Sequence, residues 1–112
     1  MHKINKKLTN HEKLCLQTLK EICFKYEMDD YYSICELCEH RVCILKRKSE
    51  WEVFILERGI EFSRTTYKDC IEACIEVIRQ CSYSKDEFKD ALIDFKNIYK
   101  KNKKIKILAK IM

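Results

Sequence analysis

The chain contains no proline and a single glycine in 112 residues. Loops that cradle phosphate depend on glycines for close backbone approach to the ligand, so P-loop and dinucleotide-binding chemistry are excluded. No nucleophile elbow or paired catalytic carboxylate motif is present either. No apolar run approaches the roughly 20 residues of a membrane span. The segment MHKINKKLTNHEKLCLQTLKE has basic residues but no apolar stretch, so the expectation is no secretory signal and a cytoplasmic protein. Acidic residues stop altogether at Asp94.

The remaining composition is that of a folded domain. With 46% hydrophobic and 37% charged residues, the chain carries too much apolar surface for disorder. Its length suits one core, so residues 1–112 read as a single domain with a lysine-rich segment at 100–112. After Asp94 come Lys96, Lys100, Lys101, Lys103, Lys104, Lys106 and Lys110 with no acid among them. Residues 1–94 then hold 16 basic against 18 acidic groups, so a mildly acidic body precedes a strongly basic tail. A uniformly basic nucleic-acid binder has no such division.

Eight cysteines could form four disulfides in a secreted protein. Cys15 and Cys23, and likewise Cys70, Cys74 and Cys81, instead fall on apolar helical stripes, where a reduced thiol serves as a small hydrophobe. Thr9 with Glu12 has capping-box spacing and opens a helix over 10–27. Strand composition follows at Tyr31–Glu36 and Arg41–Lys48, with Leu37–His40 as their turn. Trp51, Val53 and Ile55 then alternate with Glu52, Phe54 and Leu56, the period of a strand buried on one face. Gly59 marks a hairpin turn, and a returning strand runs from Ile60. The period changes to helical with Tyr67, Cys70, Ile71, Cys74, Val77, Ile78 and Cys81, opened by an approximate capping box of Thr66 and Asp69. Ser84 with Glu87 caps a last helix over about 85–103. The predicted fold is α+β: a small four-stranded antiparallel meander with an N-terminal helix and two C-terminal helices, the short connections suiting a chain without proline.

Few residues suggest chemistry. Cys35, Cys38, His40 and Cys43 have the composition of zinc ligands, but all four come from nine residues with no glycine to wrap the backbone. A turn with two core cysteines and an exposed histidine is the simpler reading, so no metal or cofactor is expected. Of the histidines, His2 and His11 are remote from any catalytic motif, and no enzyme activity is expected. In the tail, Ile105, Leu108, Ala109 and Met112 share one helical face with lysines off it, an interfacial pattern or simply a helix packed on the sheet. Candidate recognition residues are Trp51, Glu57 and Arg58, set against their alternatives as a core tryptophan and a solvated hairpin tip. The acidic run of Glu27, Asp29, Asp30, Glu36 and Glu39 is a second candidate surface, suited to a basic partner.

The strings Trp51-Glu52-Val53, Glu57-Arg58-Gly59 and Glu72-Ala73-Cys74 resemble the bacterial immunity protein 59 family, over roughly Tyr31 to Cys81. The resemblance implies a small cytoplasmic protein that binds and neutralises a cognate polymorphic toxin by occlusion, without turnover. It implies specificity in exposed residues of the sheet, the hairpin tips and the last helix. A regulatory protein using the basic tail on nucleic acid, and a zinc-binding module, are the alternatives.

Overall fold

The computed structural model describes residues 7–111. Helix α1 (Asn10–Lys25) leads through a 3₁₀ turn (Asp29–Tyr31) into β1 (Tyr32–Ile34), followed by β2 (Val42–Arg47), β3 (Glu50–Glu57), β4 (Ile60–Tyr67), α2 (Cys70–Cys81) and α3 (Lys85–Ile111). The α+β class holds, with one sheet in the order β1-β2-β3-β4. The antiparallel meander does not hold throughout, because β1 runs parallel to β2, pairing Tyr32 with Val42 and Ile34 with Ile44.

A parallel pair ordinarily needs a long crossover. Here the register requires a return of only about two residue rises, roughly 7 Å, and residues 35–41 cover it. Leu37 of this connection packs with Cys43, Leu45, Phe54 and Leu56 on the outer side of the sheet. These four form a second, smaller cluster, so the side away from the helices is also a dry surface. Met28, Val42, Ile44, Trp51 and Val53 join the main core with Leu19, Ile22 and Cys23 of α1, Cys74, Val77 and Ile78 of α2, and Ala91 and Phe95 of α3. None of the eight cysteines is in a disulfide, and five of them are buried.

Helix α1 starts with the expected reciprocal box between Thr9 and Glu12. It stops at a Schellman motif: the Met28 amide donates to the Cys23 carbonyl and the Glu27 amide to the Phe24 carbonyl. Glu27 occupies the left-handed position, at φ 58°, where glycine is usual. Helix α2 begins later than the Thr66–Asp69 spacing predicts. Tyr67 still pairs with Trp51 in the sheet, and the Asp69 carboxylate caps the helix through the Ile71 amide. Helix α3 continues to Ile111, past the expected end near 103.

Scarcity of glycine forces ordinary residues into turn conformations. Gly59 has φ 75° as the turn requires, yet Cys35, His40, Lys48, Ser49, Arg58 and Ser63 are also at positive φ. Lys48-Ser49 and Arg58-Gly59 are both two-residue hairpin loops with positive φ at each position, the type I′ form whose twist matches the strands. At Ser63 the β3–β4 register slips, so two residues oppose Phe54. A Cβ on Gly59 would meet nothing within 4 Å. Gly59→Ala is therefore expected to cost only the left-handed penalty, about 1 kcal/mol. Ser49→Gly is expected to gain about 0.5 kcal/mol by relieving the same penalty in the other hairpin. Urea unfolding of the two variants beside the parent checks both signs.

Candidate partner-binding face

Four elements end at one edge of the molecule and leave a cleft between them. Tyr26 and Glu27 come from the end of α1, Gln80 and Cys81 from the end of α2, and Tyr83 and Glu87 from the start of α3. The floor is Val42 and Ile55 of the sheet, and Tyr31, His40 and Arg41 close the other wall around a volume of about 540 Å³. The cleft forms because the capped helices stop short of the sheet's end, so the last inward-facing strand residues have nothing above them. Phe62, the cross-strand partner of Ile55, is 46% exposed, and Ile60 beyond it is 57% exposed. Tyr31 at 57% and Tyr83 at 95% add aromatic surface at the rim. Large apolar side chains left to water beside a cleft mark an interaction surface rather than a core.

The polar groups of this face are mostly held in place. Arg41 Nη1 donates to the backbone carbonyls of Asp29 at 3.4 Å and Tyr32 at 3.3 Å, which ties the loop to the 3₁₀ turn. The His40 amide donates to the Leu56 carbonyl at 2.7 Å, and the Glu39 carboxylate accepts from the Gly59 amide at 3.1 Å. The loop 35–41 is thereby fastened to the β3–β4 hairpin tip. Tyr26 Oη donates to Asp94 Oδ2 at 2.6 Å, and this bond holds the phenol protonated, its pKa pushed up to about 12. Lys25 Nζ donates to the same oxygen at 2.7 Å. Burial pushes the Cys81 thiol up to about 12 as well, so it is not a thiolate near neutral pH.

Of the charged residues singled out in the sequence, Glu27 lines the cleft itself and the others lie on adjoining segments. Glu39 bonds to the tip that carries Glu57 and Arg58, both exposed. Asp29 and Glu36 line a shallower depression that shares Arg41 with the cleft, and Asp30 is exposed beside Asp29. Trp51 is not part of this face. It is fully buried at the far end of β3, where its Nε1 donates to Glu12 Oε2 at 2.9 Å. Tyr26, Tyr31, Ile60, Phe62 and Tyr83 escaped the sequence reading. The alternation that runs inward through Trp51, Val53 and Ile55 continues across the hairpin into Ile60 and Phe62, but periodicity does not say where helix cover ends.

Other groupings carry less chemistry. Cys43 Sγ donates to the carbonyls of Cys38 and Arg41 at 3.5 and 3.6 Å, and accepts from Ser33 Oγ at 3.3 Å, as a thiol in a loop-to-strand contact. Cys35, Cys38, His40 and Cys43 do not converge, and no three His, Cys, Asp or Glu side chains among the described residues are grouped to hold a metal ion. His11 Nε2 lies 3.7 Å from both Cys15 Sγ and Asp69 Oδ1, which superficially combines a thiol, a base and an acid. The Asp69 contact is to the same nitrogen that faces sulfur, so it cannot orient the ring by binding the opposite one. Cys15 is fully buried, and the Cys70 thiol beside it together with burial drives its pKa far upward. His2 lies outside the described residues. No helix among the described residues is long and apolar enough to cross a membrane.

Comparison with protein-family models, curated proteins and solved structures finds no match to this chain.

Proposed function

We propose that this chain is a non-catalytic binding protein of the immunity class, which neutralises a cognate toxin domain in the cytoplasm by occluding it at the cleft face. The observation that carries this reading is the coincidence at one edge of a cleft with an apolar floor and of four exposed apolar or aromatic side chains, with Glu27 and Glu87 in its lining. Tyr31, Tyr83, Ile60 and Phe62 supply the desolvated contact area from which interface hot spots are built. Glu27, Asp29, Asp30, Glu36 and Glu39 favour a partner whose surface is basic, by steering the encounter and fixing its register. Stoichiometric inhibition needs nothing more than such a surface. The resemblance of roughly Tyr31 to Cys81 to the immunity protein 59 family supports the same reading.

The test is co-expression with the product of the adjacent reading frame, scored by growth and by co-purification. Rescue of growth with a one-to-one complex is the expected result. Within that complex, Tyr31→Ala and Ile60→Asp are each expected to weaken binding by at least about tenfold, mainly through faster dissociation. Asp29→Lys with Asp30→Lys is expected to slow association several-fold at low salt and to matter little at high salt. A toxic neighbour that is neither bound nor neutralised would sink the proposal. A complex indifferent to all these substitutions would move the interface elsewhere.

A further inference from the structure

Among the described residues, the end of α3 has no tertiary surface beneath it. Asn102 makes the last ties to the body, its Nδ2 donating to Thr18 Oγ1 at 3.3 Å and Glu21 Oε2 at 3.1 Å on α1. From Lys103 to Ile111 every residue is exposed, a projection of about 13 Å. The segment is not polar, however. Ile105, Ile107, Leu108 and Ile111 are exposed at 53, 50, 56 and 75%. At helical spacing these four and Ala109 occupy an arc of about 200°, while Lys103, Lys106 and Lys110 cluster on the remainder. Lys104 falls inside the apolar arc, one turn before Ile107 and Leu108, where its long stem can lie along them and keep its ammonium in water. The sequence allowed this stripe to pack on the sheet; the structure leaves it bare. Met112, the other residue assigned to the apolar face, lies outside the described residues.

The geometry points to an anionic lipid surface as the occupant of this helix end. We infer that residues 103–111 lie in the headgroup region with the Ile105, Leu108 and Ile111 side chains inserted and the lysines among the lipid phosphates. Charge complementarity decides the occupant, because seven lysines follow Asp94 without an acid. Pairing this helix with a second copy of itself through the arc would put Lys104 of each copy into an apolar seam and leave the other lysines without an anionic partner. Nucleic acid would accept the lysines but has no use for an aliphatic arc. Residues 100–111 also contain no arginine and no aromatic ring, the groups that read bases or stack on them. An apolar face buried shallowly beside a basic one is what an interfacial helix requires. The inference is independent of the cleft, which lies among the ends of α1 and α2 and the start of α3.

The test is flotation of the full chain with vesicles of phosphatidylcholine alone and of equal parts phosphatidylcholine and phosphatidylglycerol. Binding is expected only to the mixed vesicles, at least about tenfold weaker in high salt. Ile105→Gln with Leu108→Gln keeps good helix formers at exposed positions and is expected to reduce binding at least about tenfold with an unchanged thermal midpoint. No binding to the mixed vesicles overturns the inference, and so does binding that the double substitution leaves intact. Tighter binding to duplex DNA or RNA in the same buffer, insensitive to the double substitution, would assign the lysines to nucleic acid. Concentration-dependent dimerisation abolished by the double substitution would assign the arc to a second copy.

Discussion

Glu12→Ala is expected to destabilise the fold by about 3 kcal/mol, because three donors converge on this one carboxylate. Its Oε1 accepts from the Thr9 amide at 2.9 Å and from Lys46 Nζ at 3.1 Å, while Oε2 accepts from Trp51 Nε1 at 2.9 Å. The side chain thus closes the α1 cap, pairs a largely buried lysine of β2 and satisfies the indole of β3. Removing it leaves a fully buried Trp51 N–H and a Lys46 side chain only 20% exposed without their acceptor. Glu12→Gln is expected to cost at least about 2 kcal/mol, since its amide would aim one NH₂ at a donor where only an acceptor fits. In a Trp51→Phe background the cost of Glu12→Ala should fall by about 1 kcal/mol, the share belonging to the indole bond. A double-mutant cycle by urea unfolding measures that share. A Gln variant as stable as the parent would refute the account.

The same carboxylate predicts a pH signature. Burial opposes its charge, but the bonds from the Thr9 amide, Lys46 and Trp51 outweigh that penalty and hold it below its ordinary value of 4.5. A depressed folded pKa contributes stability that is fully present above the unfolded value. That contribution is lost as pH falls through the folded one. Glu12→Ala should therefore flatten the acid limb of the stability curve below about pH 4.5. It should not abolish the limb, because Glu61, Glu76 and Asp94 are also held low, chiefly by Arg47 for Glu61 and by Lys25 for Asp94. For Glu76, bonds from Arg79 and Gln80 overcome burial.

Phe54→Ala is expected to cost about 3–5 kcal/mol although no helix covers its side of the sheet. Phe54 is fully buried, sealed by Leu37 and by the Arg47 guanidinium 5.3 Å above its ring. Arg47 is itself clamped to Glu52 at 3.0 Å and Glu61 at 2.9 Å, so the lid over the ring is fixed. The loss would contain the cavity and about 0.5–1 kcal/mol of cation–π attraction. A cost below about 1 kcal/mol, as for a solvated strand face, would show that the second cluster is not a core. The consequence reaches the proposed binding face. Leu37 sits on this cluster, and the loop it anchors carries Glu36, Glu39, His40 and Arg41. Phe54→Ala should therefore speed hydrogen exchange of the His40 amide and weaken partner binding without touching the partner.

Most roles that followed from immediate neighbours were legible in the sequence, the Thr66–Asp69 box excepted, because Thr66 stays in β4 and Asp69 itself caps α2. The Thr9–Glu12 box opens α1, and the Ser84 hydroxyl accepts from the Glu87 amide at the head of α3, as their spacings predict. Trp51 and Val53 point to the helices because period two leaves them no other side, and Cys70, Cys74, Val77 and Ile78 point to the core because 3.6-residue spacing aligns them. Arg58-Gly59 is a tight turn, since that glycine is the only residue of the chain at no disadvantage there.

What depended on distant parts of the chain was hidden. A three-residue strand holds too little pattern to specify direction, and β1 is parallel to β2 with a connection held by contacts distant in sequence, Leu37 on the outer cluster and the His40 amide on the Leu56 carbonyl among them. Positive φ at Lys48 and Ser49 is dictated by the twist of the strands they join, against their own preference. The amphipathic stripe of α3 runs on to Ile111, but a stripe does not reveal whether anything lies opposite it, and past Asn102 no described residue does. The cleft likewise belongs to no single segment, being the gap left where α1, α2 and α3 fall short of a sheet edge. Local spacing determined the elements and their buried sides in this protein. Only tertiary packing decided which apolar residues would be left facing solvent, because exposure is a property of what the rest of the chain fails to cover.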